Sequence, residues 1–332
     1  MYQPKLNIEE TEKGIIETKT FFLKKFEESM QLIRVSAPKF LKMNTGLQDD
    51  LAGTCKSVEF FVPDCNYKVE IVHSLAKWKR NALKKYGIPI SHGIWTDMDA
   101  IRKDEILDDL HSIYVDQYDW EKNISYDDRK LDFLKDVVEN IFSDICITED
   151  YLISIFPKLH KKLPKKITFI HSEKLLELYP TLSSKERENE ITKTFGAVFI
   201  IGIGYKLKNG ETHDLRAVDY DDWSTETICG YHGLNGDILV WDGKRAIELS
   251  SMGIRVDEKS LQIQSKIMNV KIDTKYHKEI LESKLPYSIG GGIGQSRLAM
   301  FLLEKEHIGE VQVSEWSDKI LEDCKQRGIT LL

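Results

Sequence analysis

Two carboxylates, Asp237 and Glu248, flank the dipeptide Asp242-Gly243 inside a stretch from Asp237 to Leu249 that reads as paired β runs. Asp-Gly is a preferred two-residue hairpin loop. With that loop, Trp241 pairs with Lys244 and Asp237 lies directly across from Glu248. Like charges placed opposite each other destabilise a sheet. A divalent cation between them removes the conflict, and Mg²⁺ takes one or two carboxylates together with substrate phosphates. A register shifted by one or two residues leaves both acids solvated instead. Arg255, with Ser250 and Ser251 just before it, extends the Glu248 strand.

A second cluster is Gly290-Gly291-Gly292-Ile293-Gly294 followed by Gln295-Ser296-Arg297. It reads as a glycine-rich loop opening a helix at Gln295. Without side chains a backbone approaches a ligand closely, and N–H groups at a helix N-terminus favour anions. Arg297, one turn in, suits pairing with a phosphate or stacking on a base. The same run also fits a plain tight turn into a C-terminal helix. Too few residues follow it for a Rossmann unit, and no GxxxxGK[ST] loop occurs. Gln117 and Asp119 alternate on one face of residues 112–119, so they line a polar pocket or that face is exposed. Arg102 and Glu105 follow a strand and a turn, and alone they carry no signal. His73, Ser74 and Asp214 are too scattered for a Ser-His-Asp triad, and His73 reads as structural.

The elements that must carry these residues follow from periodicity. Phe22, Phe26 and Met30 recur every fourth residue in a helix from Thr11 to Met30, leading into an extended run, Leu32 to Pro38. Tyr67 to Val72 alternates as a strand with Val69 and Ile71 on one face, and Leu75 to Tyr86 is a basic helix carrying Lys77, Lys79 and Arg80. Strands are expected at Gly93–Asp97 and Ser112–Asp119, helices over Asp127–Phe156 and Glu186–Phe195, and a buried strand at Val198–Ile203. Strands come in consecutive groups rather than in βαβ alternation. That predicts an α+β fold around an antiparallel sheet. The whole chain, 1–332, is expected to form a single catalytic domain, with residues 126–195 as a helical flanking segment.

The chain has 332 residues, 41% hydrophobic and 30% charged, enough for one large domain or two modest ones. Its net charge of −7 gives nucleic acid and anionic lipid no global attraction. The five cysteines are scattered without a CxxC, which implies neither a disulfide framework nor a zinc site and fits a reducing compartment. No window approaches the ~18 apolar residues of a membrane span, and the N-terminus carries no signal-peptide stretch. A cytoplasmic protein with no nucleic-acid or membrane partner is expected.

Taken in order, these segments resemble the three motifs of class II aminoacyl-tRNA synthetases. Phe26 through Pro38 resembles the helix and strand of the first, which forms a dimer interface in that fold. Arg102-Lys103-Asp104-Glu105 resembles the second, and Gly290 through Leu298 the third. The closer resemblance is to the ammonia-dependent asparagine synthetases, tRNA-free relatives of those enzymes. It is carried by Gly46-Leu47-Gln48-Asp49-Asp50-Leu51-Ala52-Gly53, Val72 through Arg80, Tyr114 through Trp120, Asp219 through Ser224, Gly233 through Trp241, Glu248 through Arg255 and the glycine run. Together these cover essentially the whole chain.

The resemblance implies an eight-stranded antiparallel sheet flanked by helices, and a homodimer. It implies Mg²⁺-dependent formation of β-aspartyl-AMP from L-aspartate and ATP, then attack by ammonia. Arg102 would meet the α-phosphate. Arg297, Glu105, Asp221, Glu248, Gly292 and Gly294 would form the nucleotide pocket, with Asp237 and Glu248 on the metal. Arg255, Ser74, Lys79, Asp119 and Ser251 would hold the amino acid, with Gln117 among the catalytic residues and Asp49 binding ammonium and taking its proton.

Three other readings compete. A full aminoacyl-tRNA synthetase is disfavoured because the first motif ends at Pro38, which leaves no room for an anticodon-binding domain before it. A glutamine-dependent synthetase needs an N-terminal cysteine, and residue 2 is tyrosine. A catalytically dead nucleotide-binding subunit sits poorly with the presence of Arg102, Asp237, Glu248 and Arg297 together.

Overall fold

In the computed structural model, which describes residues 2–49, 51, 56–227 and 230–332, the chain opens on helix α1 (Ile8–Met30). Asn7 and Glu10 start it with a capping box, each side chain accepting from the other's backbone N–H, and Gln31 ends it in a left-handed conformation. Its buried stripe includes Phe22, Phe26 and Met30, as their spacing predicts. Truncating a buried Phe costs about 3–5 kcal/mol, so packing rather than helix propensity holds this helix in place. Cys55, Cys229 and, from the Gly46–Gly53 segment, Asp50, Ala52 and Gly53 lie outside the described residues.

The remaining elements are β1 (Leu32–Arg34), β2 (Phe40–Lys42), β3 (Glu59–Val62), β4 (Tyr67–Ile71), α2 (Ala76–Tyr86), β5 (Gly93–Ile101), β6 (Tyr114–Asn123) and α3 (Leu131–Ile155). They continue with β7 (Thr168–His171), α4 (Ser172–Leu178), α5 (Ser184–Phe195), β8 (Ala197–Ile201), β9 (Asn235–Trp241) and β10 (Ala246–Ile254). The chain closes with α6 (Glu258–Met268), α7 (Lys275–Leu281), β11 (Ser288–Gly294), α8 (Gln295–Leu302) and α9 (Asp318–Arg327).

Eight strands form the main sheet in the order β1-β5-β6-β11-β10-β9-β8-β7. The six central strands are antiparallel, whereas β1 pairs with β5, and β7 with β8, in parallel. The expected all-antiparallel sheet is therefore mixed at its ends. Parallel neighbours need a long crossover. Residues 35–92 supply it at one end, and α4 with α5 at the other.

One face of this sheet is apolar. Trp95, Tyr118, Trp120, Met252, Ile289 and Ile293 pack there against Phe22 and Phe26 of α1, Val138 and Ile141 of α3, and Leu298 of α8. The other face is apolar toward its two ends, and near β8 Val198, Ile200 and Leu239 meet Leu175 of α4 and Ile191 of α5. Its centre is polar. There α2 and a three-stranded sheet, β2-β4-β3, form walls, with Leu41, Val72 and Leu75 packed on Met98 and Ala100 of β5.

Two expectations are corrected. The glycine run is not a loop: it is β11, a central strand. The β9–β10 hairpin has a four-residue loop, Asp242–Arg245, so Trp241 pairs with Ala246 rather than Lys244. Asp242 Oδ1 accepts the N–H groups of Lys244 at 2.7 Å and Arg245 at 2.8 Å, a side-chain-closed turn that displaces the two-residue Asp-Gly loop. A bulge between Glu248 and Ser250 shifts the pairing again. Asp237 consequently faces Ser251, and Glu248 faces Leu239. The carboxylates share a face, one pair apart, rather than opposing each other.

Candidate active site

Across β5, β6, β11, β10 and β9, one row of paired residues runs Thr96, Asp119, Gly292, Ser251, Asp237. The next row on one side holds Met98, Gln117 and Gly294; on the other side stand Ile94, Glu121, Gly290, Gly253 and Asn235. In each row β11 contributes a glycine, and the space it leaves is taken by its neighbours. A Cβ on Gly290 would stand 2.0 Å from Glu121 Oε2 and 2.6 Å from Arg255 Nη2; one on Gly292 would stand 2.2 Å from Gln117 Oε1. The glycines make β11 a trough into which charged side chains lean.

Those charges are paired. Lys79 Nζ, buried, lies 2.5 Å from Asp119 Oδ1 and 2.9 Å from the Gly291 carbonyl. Arg255 is held by Glu121, with Nη2–Oε2 at 2.8 Å, and by Asp221 on its other side. Burial would lower the Arg255 guanidinium, but the charges of Glu121 and Asp221 outweigh it and keep it protonated. Burial lowers the Lys79 ammonium, with Asp119 pulling the other way. The Asp119 carboxylate also accepts the Leu75 N–H at 3.3 Å, tying the start of α2 to the sheet. Thus α2 buries two cations, Lys77 and Lys79, toward the site, while Arg80 serves as a strut to the Val256 and Pro286 carbonyls.

These residues open onto one cavity of about 410 Å³, within the ~300–1,000 Å³ range of small-molecule sites. Asp49, Ser74, Lys79, Arg102, Glu105, Gln117, Asp119, Asp221, Glu248, Ser251, Arg255, Gly292, Gly294 and Arg297 all line it. Of the site residues expected from sequence, only Asp237 does not, and it lies buried behind Ser251. Glu248 on β10 and Arg255 just past its end are seven residues apart, roughly 20 Å of extended chain, so they mark two ends of the cavity.

At the Glu248 end, Arg297 Nη1 donates to the Glu248 carbonyl at 3.2 Å. Arg102 Nη2 donates to the His73 carbonyl at 3.3 Å, while its buried Nε has no hydrogen-bond partner among the described residues. A guanidinium that borders the cavity and has one N–H unmet is suited to an anionic oxygen. The helix N-terminus read as an anion site is filled by the protein itself. Asp116 accepts the Ser296 N–H at 3.0 Å and its hydroxyl at 2.8 Å, supplying the cap that Gly294 cannot. At this end the arginine side chains, rather than the first backbone N–H groups of α8, are left to meet an anion.

Asp221, which the resemblance assigns to the nucleotide pocket, stands instead against Arg255 at the opposite end. Asp49 is buried between the two ends; its Oδ1 accepts the Leu51 N–H at 2.9 Å, and its carbonyl lies 3.2 Å from His73 Nδ1. Burial raises the Asp49 carboxyl, with the charge of Lys77 pulling against it.

Among the described residues, no three His, Cys, Asp or Glu side chains converge as a self-sufficient cation cage. The pair Asp237 and Glu248 does fit a Mg²⁺ that arrives on phosphates. Burial pushes the Asp237 carboxyl up to about 7, Glu248 adds to the rise, and Arg216 opposes it with Nη2 at 2.7 and 2.6 Å from the two carboxylate oxygens. The two acids therefore feel each other, and Asp237 already has Arg216 on both of its oxygens. Sequence reasoning missed Arg216, Glu121, Lys185 and His277 altogether, and named Lys77, Asp214 and Asp219 without the partners they meet. Most of them work through a partner far away in the chain, although Lys185 meets Glu188 and Asp214 meets Arg216 locally, and Glu121 continues the alternation of Gln117 and Asp119.

The aspartate-ammonia ligase family model matches residues 9–328. Aspartate–ammonia ligase of Parabacteroides distasonis is 51% identical over 336 residues, covering 100% of this chain and 97% of that protein. That of Bacteroides fragilis is 47% identical with the same coverage. Among solved structures, asparaginyl-tRNA synthetase of Entamoeba histolytica in complex with asparaginyl-adenylate superposes with a TM-score of 0.67 at 14% identity, over 92% of this chain and 66% of that one. The Pyrococcus horikoshii enzyme, also complexed with asparaginyl-adenylate, gives 0.67 at 15%, over 91% and 68%. The chain thus spans about two thirds of the synthetases' length, and that likeness speaks for the fold.

Proposed function

The chain belongs to the aspartate–ammonia ligase family, and from that membership we propose how its site divides the work of making asparagine. The overall reaction joins L-aspartate to ammonia at the expense of ATP. The observation that carries the division is one cavity with Lys79 and Arg255 at one end and Arg102, Arg297 and Glu248 at the other. The adenylates named in the two synthetase complexes support an acyl-adenylate route on this fold.

Arg255, flattened between Glu121 and Asp221, holds the amino acid together with Ser74, Lys79, Asp119 and Ser251. Its β-carboxylate is directed toward the α-phosphorus. A carboxylate oxygen attacks phosphorus, the bond to the β-phosphate oxygen breaks, and pyrophosphate leaves β-aspartyl-AMP. Such a step needs positioning and charge neutralisation more than covalent catalysis. Arg102, through its unpartnered Nε, stabilises charge on the α-phosphate, and Gln117 steadies the reacting carboxylate. Arg297 and Glu105 hold the nucleotide, with Gly292 and Gly294 giving it room. A Mg²⁺ ion carried by ATP would be held by Glu248 and Asp237 and would neutralise phosphate charge. Asp49 then binds ammonium and accepts its proton. The nitrogen attacks the β-carbonyl carbon, the adduct gives its second proton to the departing phosphate, and AMP leaves with the C–O bond's electron pair. We also read the protein as a single catalytic domain working as a cytoplasmic homodimer, supported by the exposed Ile33 on the edge strand β1.

Two variants test the division. Arg102→Ala removes a charge-assisted contact of the kind worth several kcal/mol in a closed site. Aspartate-dependent exchange of pyrophosphate into ATP should collapse, and asparagine formation with it. Asp49→Asn should leave exchange largely intact while asparagine formation falls much further. Loss of exchange in Asp49→Asn as complete as in Arg102→Ala would move Asp49 to the first step.

A further inference from the structure

Behind Asp49 stand three buried groups that neither half-reaction uses. Lys77 Nζ lies 2.8 Å from Asp219 Oδ2, and His277 Nε2 lies 2.9 Å from the same oxygen. Their side chains are 10%, 8% and 6% exposed, so water does little to screen them. Thr274 N–H donates to His277 Nδ1 at 3.4 Å, which puts the imidazole proton on Nε2, aimed at Asp219. The histidine is therefore a fixed donor to a carboxylate that also holds a lysine. Burial would raise the Asp219 carboxyl, but Lys77's charge and the His277 hydrogen bond outweigh it and hold it below the usual range. Lys77 in turn acts on Asp49.

The helix that carries His277 also touches the loop that carries Asp49. Thr274 caps α7, its hydroxyl accepting the His277 N–H at 3.3 Å. A Cβ on Gly46, whose φ is +77°, would stand 2.6 Å from both Cβ and Oγ1 of Thr274, so loop and cap are in direct contact. Next to it, Leu47 packs on the cluster of Tyr276, Ile280, Val256 and Leu261.

We propose that His277 is a positioning residue for the amidation step: through Asp219 it fixes Lys77 beside Asp49, and its helix fixes the Asp49 loop. This rests on the assignment of Asp49 to the ammonia step. With the donor lost, Asp219 and Lys77 are free to repack, and the charge beside Asp49 moves. The loss then falls on capture and deprotonation of ammonium, while the aspartate contacts stay in place on partners of their own, Lys79 on Asp119 and the Gly291 carbonyl and Arg255 on Glu121.

The test compares His277→Gln with His277→Asn. A glutamine amide reaches the position of Nε2 and can donate to Asp219; an asparagine amide stops near Nδ1 and cannot. Pyrophosphate exchange and the ammonium dependence of asparagine formation are measured on both, with Asp49→Asn in parallel. In His277→Asn, exchange should stay within about threefold of the unaltered enzyme while kcat/KM for ammonium drops about tenfold or more, the scale of one hydrogen bond to a charged group. His277→Gln should recover most of that drop. Equal losses in both steps, no loss in either, or no recovery by Gln overturns the proposal, and so does failure of the Asn variant to fold. Asp49→Asn is scored separately. If it abolishes exchange, the Asp49 assignment has failed; if it spares exchange while His277→Asn does not, only the inference about His277 has.

Discussion

Replacing Gly290 by alanine adds one methyl group to a strand whose backbone accepts any residue there, yet it should be among the most damaging changes on β11. The new Cβ would lie 2.0 Å from Glu121 Oε2, 2.7 Å from its Cδ and 2.6 Å from Arg255 Nη2. None of these atoms can swing aside. Glu121 is fully buried, accepts three contacts from Arg255 and one from Ser288, and Arg255 is pinned again by Asp221. The methyl must split a buried ion pair, a loss of about 3–5 kcal/mol. Spread over 332 residues at about 2.1 cal/mol/K each, that is roughly 4–7 °C in Tm. The assays are thermal unfolding and the KM for aspartate in pyrophosphate exchange, which should rise with Arg255 displaced. Gly292→Ala, two residues on, is the control. It meets Gln117 Oε1, on a side chain that borders the cavity and can turn into it, so Tm should hold while activity falls. A Gly290→Ala protein with unaltered Tm and aspartate KM would refute the view that these glycines are required for space.

Asp237→Asn should fold, since Arg216 and Ser251 still meet the amide oxygen, but should need several-fold more Mg²⁺ for exchange; superimposable Mg²⁺ curves would remove the pair from the metal's surroundings. Asp144 of α3, hydrogen-bonded by Ser29 of α1, is raised by burial to about 6 from an ordinary 3.8. A raised carboxyl contributes stability that is complete below about pH 4 and lost as pH rises through 6. Asp144→Asn should therefore match the unaltered protein near pH 4, gain on it up to on the order of 2 kcal/mol by pH 7 and keep that lead above, measured by denaturant unfolding at each pH. Sedimentation at micromolar concentration should give about twice 38.4 kDa, and Ile33→Asp should shift it toward the monomer.

Local rules located what is locally encoded. The spacing of Phe22, Phe26 and Met30 located α1, and the alternation of Gln117 and Asp119 marked the floor of the cavity. Two readings failed and one strand went unread, for identifiable reasons. Glycine is usually read as freedom to turn, but in β11 it is room for the side chains of β6 and β10, a property of neighbours the local sequence does not reveal. The hairpin register depended on whether Asp242 would close the turn with its own carboxylate and on a bulge at Leu249. β7 has four residues and no alternation to detect. Lys77 and Asp219 meet across 142 positions, and no periodicity links them. What located Arg102 and Asp49 was family resemblance, since an isolated Arg-x-x-Glu has no physical signature of its own.

The main sheet ends on strands of three residues at β1 and four at β7. At about 3.3 Å per residue, either free edge offers only ~10–13 Å of unpaired backbone. That is too short to template another chain, so the sheet resists growth into fibres even though one edge strand presents an uncovered isoleucine. Attachment of a second molecule at the β1 end must come from side chains, Ile33 and the exposed Phe40 and Phe60 pair nearby, rather than from a continued ladder. A contact built that way is satisfied by one partner and does not propagate.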